Sequence, residues 1–146
     1  MNYLKDISTS LKTVQKSFDG VIEAEMFKSE EQIKKWIRER WLTGFDSNRN
    51  PIGIYRFEDY AEEKYAINSF AGFGNVDLTY SGMMGRKIEI KNFNKGFEVF
   101  STVDYYDKII DKYGDTNFNV TNPEKEKLED MMFKVIFNQI DKIYGK

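Results

Sequence analysis

The chain is 146 residues long, 40% hydrophobic and 32% charged, which is one domain's worth of sequence with enough apolar residues for a core. Its 22 basic and 24 acidic residues leave a formal charge of −2, so no bulk attraction toward nucleic acid or an anionic membrane is expected. Cys and His are both absent, which excludes disulfides, thiolate nucleophiles and Cys/His zinc sites and removes the commonest general base near neutral pH.

Leu4, Ile7, Leu11, Val14 and Phe18 recur at helical spacing, the stripe of an amphipathic helix laid either on its own domain or on a partner. The start, MNYLKDIST, has no uncharged apolar core after its lysine and is not expected to be a signal peptide. Nor does any apolar run approach the ~20 residues of a membrane helix. Asp19-Gly20 predicts a break, and Ser29 with Gln32 a capping-box start for a second helix. That helix carries Ile33, Trp36, Ile37 and Trp41 on its apolar face and ends at Thr43-Gly44, so the N-terminal helices fill about 3–43. Asp46–Pro51 (DSNRNP) is a turn cluster. It imitates the start of a calcium loop, but Pro51 stands where Gly is required and Phe57 where the bidentate Glu belongs, so calcium is excluded. Ile52–Arg56 predicts a short strand, Glu58–Asn68 a helix, and Phe70–Val76 (FAGFGNV) a loop anchored by its rings.

The centre of the chain is Leu78–Gly114. Ser81-Gly82 is a small-residue turn followed by Met83-Met84, read as a plug for the core or an interface. Ile88 and Ile90 alternate with Lys87, Glu89 and Lys91, and Phe97, Val99, Ser101 and Val103 share a face, so two strands are predicted. Asn92–Gly96 joins them with residues that tolerate positive φ, as a hairpin requires. Asp104 suits a helix N-cap, and Tyr106, Ile109, Ile110 and Tyr113 form the apolar side of a short helix expected to bury itself against the hairpin. The sheet and short helices occupy about 52–114. In the final helix, about 123–144, Asn122 is the expected cap and Pro123 the first turn, and a broad apolar face runs from Leu128 to Ile143. The expected fold is thus a single α+β domain over 1–146, an antiparallel sheet with a central β-hairpin covered by N- and C-terminal helices.

Catalysis would have to run on carboxylates, Lys, Tyr or Ser. Glu98 and Asp104 are the pair that could act as acid and base beside the hairpin, and Asp107 with Asp111 could share a metal. A helix cap and a solvated face account for them more simply, so no catalytic, metal or cofactor site is expected. Arg86, Lys87, Lys91 and Lys95 interleave with Phe93 and Phe97, as in hairpins that grip a nucleic-acid strand. Glu89 and the acidic whole oppose that reading, which stands as the alternative. Phe70, Phe73, Tyr80, Met83 and Met84 put large apolar side chains in turn regions, and are the expected assembly contacts.

A succession of motifs over about 44–114 resembles the phage virion-morphogenesis family, the neck and tail-completion proteins of tailed phages. The pattern of that family is a D-x-x-G-x-P turn, a Tyr-Ala-x-x-Lys helix, a Leu-x-x-(Ser/Thr)-Gly-x-(Leu/Met) turn before a hairpin, and an aromatic-Gly ending. Here the matching pieces are Asp46–Pro51, Tyr60-Ala61-Glu62-Glu63-Lys64, Leu78–Met83, the Ile88/Ile90 strand, and Tyr113-Gly114 after Tyr105-Tyr106. Asp111-Lys112 replaces the His-Gln of the family, Gly85-Arg86 departs at the strand entry, and the long last helix lies outside the pattern. The resemblance implies a structural, non-enzymatic virion protein, made in host cytoplasm and repeated in a ring between portal and tail. Its partners would be its own copies and neighbouring portal, neck or tail proteins, with no membrane.

Overall fold

The computed structural model describes the backbone of residues 3–79, 81–93 and 96–145, and the side chains of 8–79, 81–91 and 97–145. The architecture is α+β and 64% helical, with helices flanking a two-stranded antiparallel sheet. In order come α1 (Tyr3–Leu42), α2 (Glu58–Ile67), the single turn α3 (Met83–Arg86), β1 (Ile88–Phe93) and β2 (Gly96–Ser101). They are followed by α4 (Tyr106–Tyr113), a 3-10 turn (Asp115–Phe118) and α5 (Asn122–Tyr144). Among the described residues, no helix is long and apolar enough to cross a membrane. Two compact units can be described, Met1–Glu30 with Lys125–Lys146, and Glu31–Glu124.

In the first unit, the two helices expected between 3 and 43 prove to be one. α1 runs through Asp19-Gly20 and through Ser29. A single glycine costs a helix only ~1 kcal/mol, too little to stop a segment otherwise rich in Glu, Lys and Gln. Ser29 does not cap, because its hydroxyl donates back to the Glu25 carbonyl at 2.9 Å. Gln139 of α5 donates to the Ser17 hydroxyl at 2.6 Å, and Val14, Phe18, Val135 and Ile136 are half-buried.

The second unit holds a dense core. Ile33, Ile37 and Trp41, at i, i+4 and i+8 of α1, are fully buried. Trp41 meets Phe118 edge-on at 5.1 Å, and Phe118 meets Tyr106 at 4.8 Å. The Trp41 indole donates to the Asn117 carbonyl at 2.9 Å, so the ring is buried with its polar atom satisfied. Arg40 bridges Glu124 and the Asn117 and Asn119 carbonyls. Its pKa is lowered because burial penalises the cation, an effect Glu124 partly offsets.

The hairpin forms as the alternation predicts, with register Ile88↔Ser101 through Phe93↔Gly96. Ile88, Val99 and Ser101 are buried, while Glu89, Lys91 and Glu98 face water. The Ser101 hydroxyl donates to the Met84 carbonyl at 3.1 Å, tying the sheet to α3. Gly82 has φ +65°, which glycine adopts freely and which aims α3 into the core.

Several local expectations are corrected. Ile52–Arg56 is no strand; it contributes an isolated bridge, Ile54↔Asn75. Asp104 does not cap α4, whose N-cap is Tyr105 with no side-chain cap bond. Ile109, Ile110 and Tyr113 are half-buried, since α4 borders an open cleft. The α5 cap is Thr121, not Asn122. Its N–H donates to Glu124 Oε2 at 2.7 Å while its hydroxyl accepts from the Glu124 N–H at 3.3 Å, a reciprocal capping box.

Candidate functional site

The second unit carries an open cleft of about 680 Å³. Its walls are Tyr55, Tyr60, Tyr105 and Tyr113, and its floor includes Val76, Leu78 and Met84. Arg56 and Lys112 supply positive charge at its edge, with the Lys112 ammonium 4.9 Å from the centre of the Tyr113 ring. Tyr55 and Tyr60 meet edge-on at 5.0 Å. Burial pushes the Tyr55 phenol strongly upward, helped by the charge of Asp77, so it stays protonated and can donate. Tyr60 is raised for the same first reason, with Glu63 adding to it.

One wall is fixed by a buried ionic network. Lys64 of α2 is ion-paired with Asp77, their side chains only 2% and 1% exposed. Asn68 Nδ2 donates to the other Asp77 oxygen at 2.7 Å and to the Leu42 carbonyl at 2.9 Å. The Thr79 N–H donates to Asp77 Oδ1 at 3.2 Å, and the Tyr55 hydroxyl donates to the Asp77 carbonyl at 3.0 Å. The network stitches α2, the 76–79 segment, Tyr55 and the end of α1 into one support. Its groups are committed to each other, which makes it a fold anchor and not a reaction centre.

Large apolar side chains stand exposed on the segments before, within and after α2. Phe70 is 81% exposed and Ile54 78%, and Phe57, Ile67 and Phe73 are exposed as well. Phe73 packs against Tyr65 at 5.8 Å, and the Ile54↔Asn75 bridge brings the 54–57 segment to the same loop. The sequence predicts a loop anchored by its rings, but Phe70 and Phe73 are both exposed. Ala71 and Val76 anchor it by burial, and Asn75 does so by donating to the Ala71 carbonyl at 2.7 Å.

Of the expected assembly contacts, Phe70, Phe73 and Met83 are exposed, and Tyr80 lies outside the described residues. Met84 is corrected to core at 4% exposure, since the α3 turn points it inward. Ile54 and Phe57 are exposed as well; Ile54 falls in the segment predicted as a strand, 52–56, and Phe57 is the N-cap position of α2.

In the hairpin, Arg86 donates to the Ser81 carbonyl at 3.1 Å, and Lys87 and Lys91 are exposed. Lys91 stands opposite Glu98 and next but one to Glu89, so the wet face carries mixed charge. The Phe93 side chain and Lys95 lie outside the described residues. Glu98, Asp104, Asp107 and Asp111 are all exposed. Among the described residues, no cluster of three acidic side chains is arranged to hold a metal ion.

No protein-family model, curated protein or solved structure matches this chain.

Proposed function

We propose that the protein is a structural subunit of a tailed-phage particle, repeated in a ring of the neck, connector or tail-completion region between portal and tail. The observation that carries this reading is the set of exposed large apolar side chains, Ile54, Phe57, Ile67, Phe70 and Phe73, on the segments around α2, together with the tyrosine-walled cleft. Apolar rings held in water on loops fixed by a rigid core are what a protein interface buries. A ring needs a patch on one face and a receptor for it on another, and a projecting ring with an open aromatic cleft meets that description.

The motif succession supports the family reading through the jobs its residues do. Asp46 accepts from the Asn48 and Asn50 N–H groups at 2.9 and 2.8 Å, closing the turn. Arg49 stands where the family pattern has glycine, and its φ of +64° is the backbone that glycine prefers. Lys64 of the Tyr-Ala-x-x-Lys helix is the buried ion-pair partner, and Gly82 of the Ser-Gly turn is left-handed. These are positions at which the fold constrains residue type.

The test is complementation of a phage lacking the gene with a Phe70→Ser/Phe73→Ser variant. Both side chains are exposed, so the variant folds and stays soluble, and it fails to enter particles. Normal tailed, infectious particles that contain it would overturn the reading. Nucleic-acid affinity falling steeply with salt would favour the hairpin alternative through Arg86, Lys87 and Lys91.

A further inference from the structure

Helix α5 is apolar on two sides. One side is packed: Leu128 is buried, Val135 is half-buried, and Gln139 bonds Ser17 of α1. Phe133, Phe137, Ile140 and Tyr144 follow at intervals of four, three and four, the spacing of a coiled-coil seam. At 3.6 residues per turn they fall on one line, roughly opposite Val135. Their exposures are 57%, 61%, 37% and 68%, so in the single chain the line is largely in water. A line of exposed aromatic side chains along a helix marks a contact surface.

The residues beside the line say what covers it. Lys134 and Asp141 flank it on one edge, and Ile136 and Ile143 on the other. When two copies of α5 cross antiparallel, Phe133 meets Tyr144 and Phe137 meets Ile140, each twice. That register sets Lys134 of one copy against Asp141 of the other, again twice, and Ile136 against Ile143. Both edges are then matched, charge with opposite charge and apolar with apolar. A parallel pair would satisfy Lys134 with Glu129 but would face Ile136 with Asp141. The antiparallel arrangement also opposes the helix dipoles.

We infer that α5 is a homodimerisation helix, pairing antiparallel with α5 of a second copy through Phe133, Phe137, Ile140 and Tyr144. The contact is isologous and involves no residue of the apolar surface around Phe70, so it stands independently of the ring reading. The four side chains offer roughly 400 Å² per copy, about 800 Å² for the pair before the flanking residues are counted. That falls below the ~1,200 Å² where standard-size interfaces begin, the size of a weak, reversible contact.

The experiment is sedimentation velocity on the full chain over roughly 1–500 µM, a range suited to weak association, with circular dichroism to check the fold of each variant. The parent shifts from monomer to dimer with concentration. Asp141→Lys sets lysine against Lys134 at both ends and weakens association by about tenfold or more. Lys134→Asp does the same with carboxylates. The double variant Lys134→Asp/Asp141→Lys restores the parent affinity, because each copy then carries the exchanged pair. A parent that is monomeric throughout overturns the inference. So does Asp141→Lys that dimerises like the parent, the outcome of parallel pairing, or a double variant that is not rescued.

Discussion

Removing the Asp77 carboxylate is the perturbation for which the structure gives the clearest magnitude. The side chain is 1% exposed, ion-paired with Lys64, and accepts from Asn68 and from the Thr79 N–H. Asp77→Ala removes the carboxylate that is ion-paired with a buried ammonium and the acceptor of one Asn68 amide bond. Stripping one partner from a buried pair costs about 3–5 kcal/mol, a large part of the ~5–15 kcal/mol that holds a domain folded. Lys64→Met is milder, because Asp77 keeps the donors from Asn68 and Thr79 and the methionine fills the apolar stem's place. We expect about 2–3 kcal/mol for it, mainly the loss of the charge partner. The double variant should cost less than the sum of the singles by about 1–3 kcal/mol, since both changes remove the same ion pair. Urea unfolding followed by tryptophan fluorescence is the assay, as Trp36 and Trp41 both lie in the unit that holds the pair. Asp77→Ala within ~0.5 kcal/mol of the parent, the range of surface substitutions, would refute the argument. Strict additivity of the two singles would refute it equally.

Two further expectations concern the backbone and pH. Arg49→Gly should stabilise the protein by about 0.5–1 kcal/mol in urea unfolding by relieving a left-handed arginine, whereas Gly82→Ala should destabilise it by about 1–2 kcal/mol. Burial raises the pKa values of Tyr55, Tyr60 and Tyr106 in the folded chain. The folded state therefore holds protons that the unfolded tyrosines release near pH ~10, and it binds more protons above that point. Stability should be insensitive to these groups below pH ~10 and fall as pH rises beyond it. Thermal unfolding between about pH 8 and 11 with tyrosinate absorbance checks this; a melting temperature that rises above pH ~10 would contradict it.

The parts of the fold legible in the sequence are those where local pattern and tertiary demand agree. Ile88 and Ile90 against Glu89 and Lys91 mark a strand with one wet face, and that strand exists. Gly82 marks a turn that needs positive φ, and α2 and α5 lie where their periodicity places them. Ser29 misleads because a serine in the middle of a helix can satisfy its hydroxyl on the preceding turn. Thr121 and Asn122 are both good caps, and only the reach of Glu124 back to Thr121 selects between them. Lys64 is legible as part of a motif but not as a buried cation, because its partner lies thirteen residues on, beyond a loop. At the candidate site, Phe70, Phe73 and Met83 are exposed where the turn reading put them. Met84, their neighbour, is core because one turn of α3 separates the fates of adjacent residues. The cleft itself collects tyrosines from the segment before α2, from α2 and from the two ends of α4, and no spacing rule joins α2 to α4 in advance.

Quantitative mass spectrometry of purified phage particles tests the structural-subunit reading most directly. The account predicts that the protein co-purifies with particles at a fixed copy number per portal and stays associated with isolated necks or tails. Particles that assemble to full infectivity without a trace of the protein would contradict it.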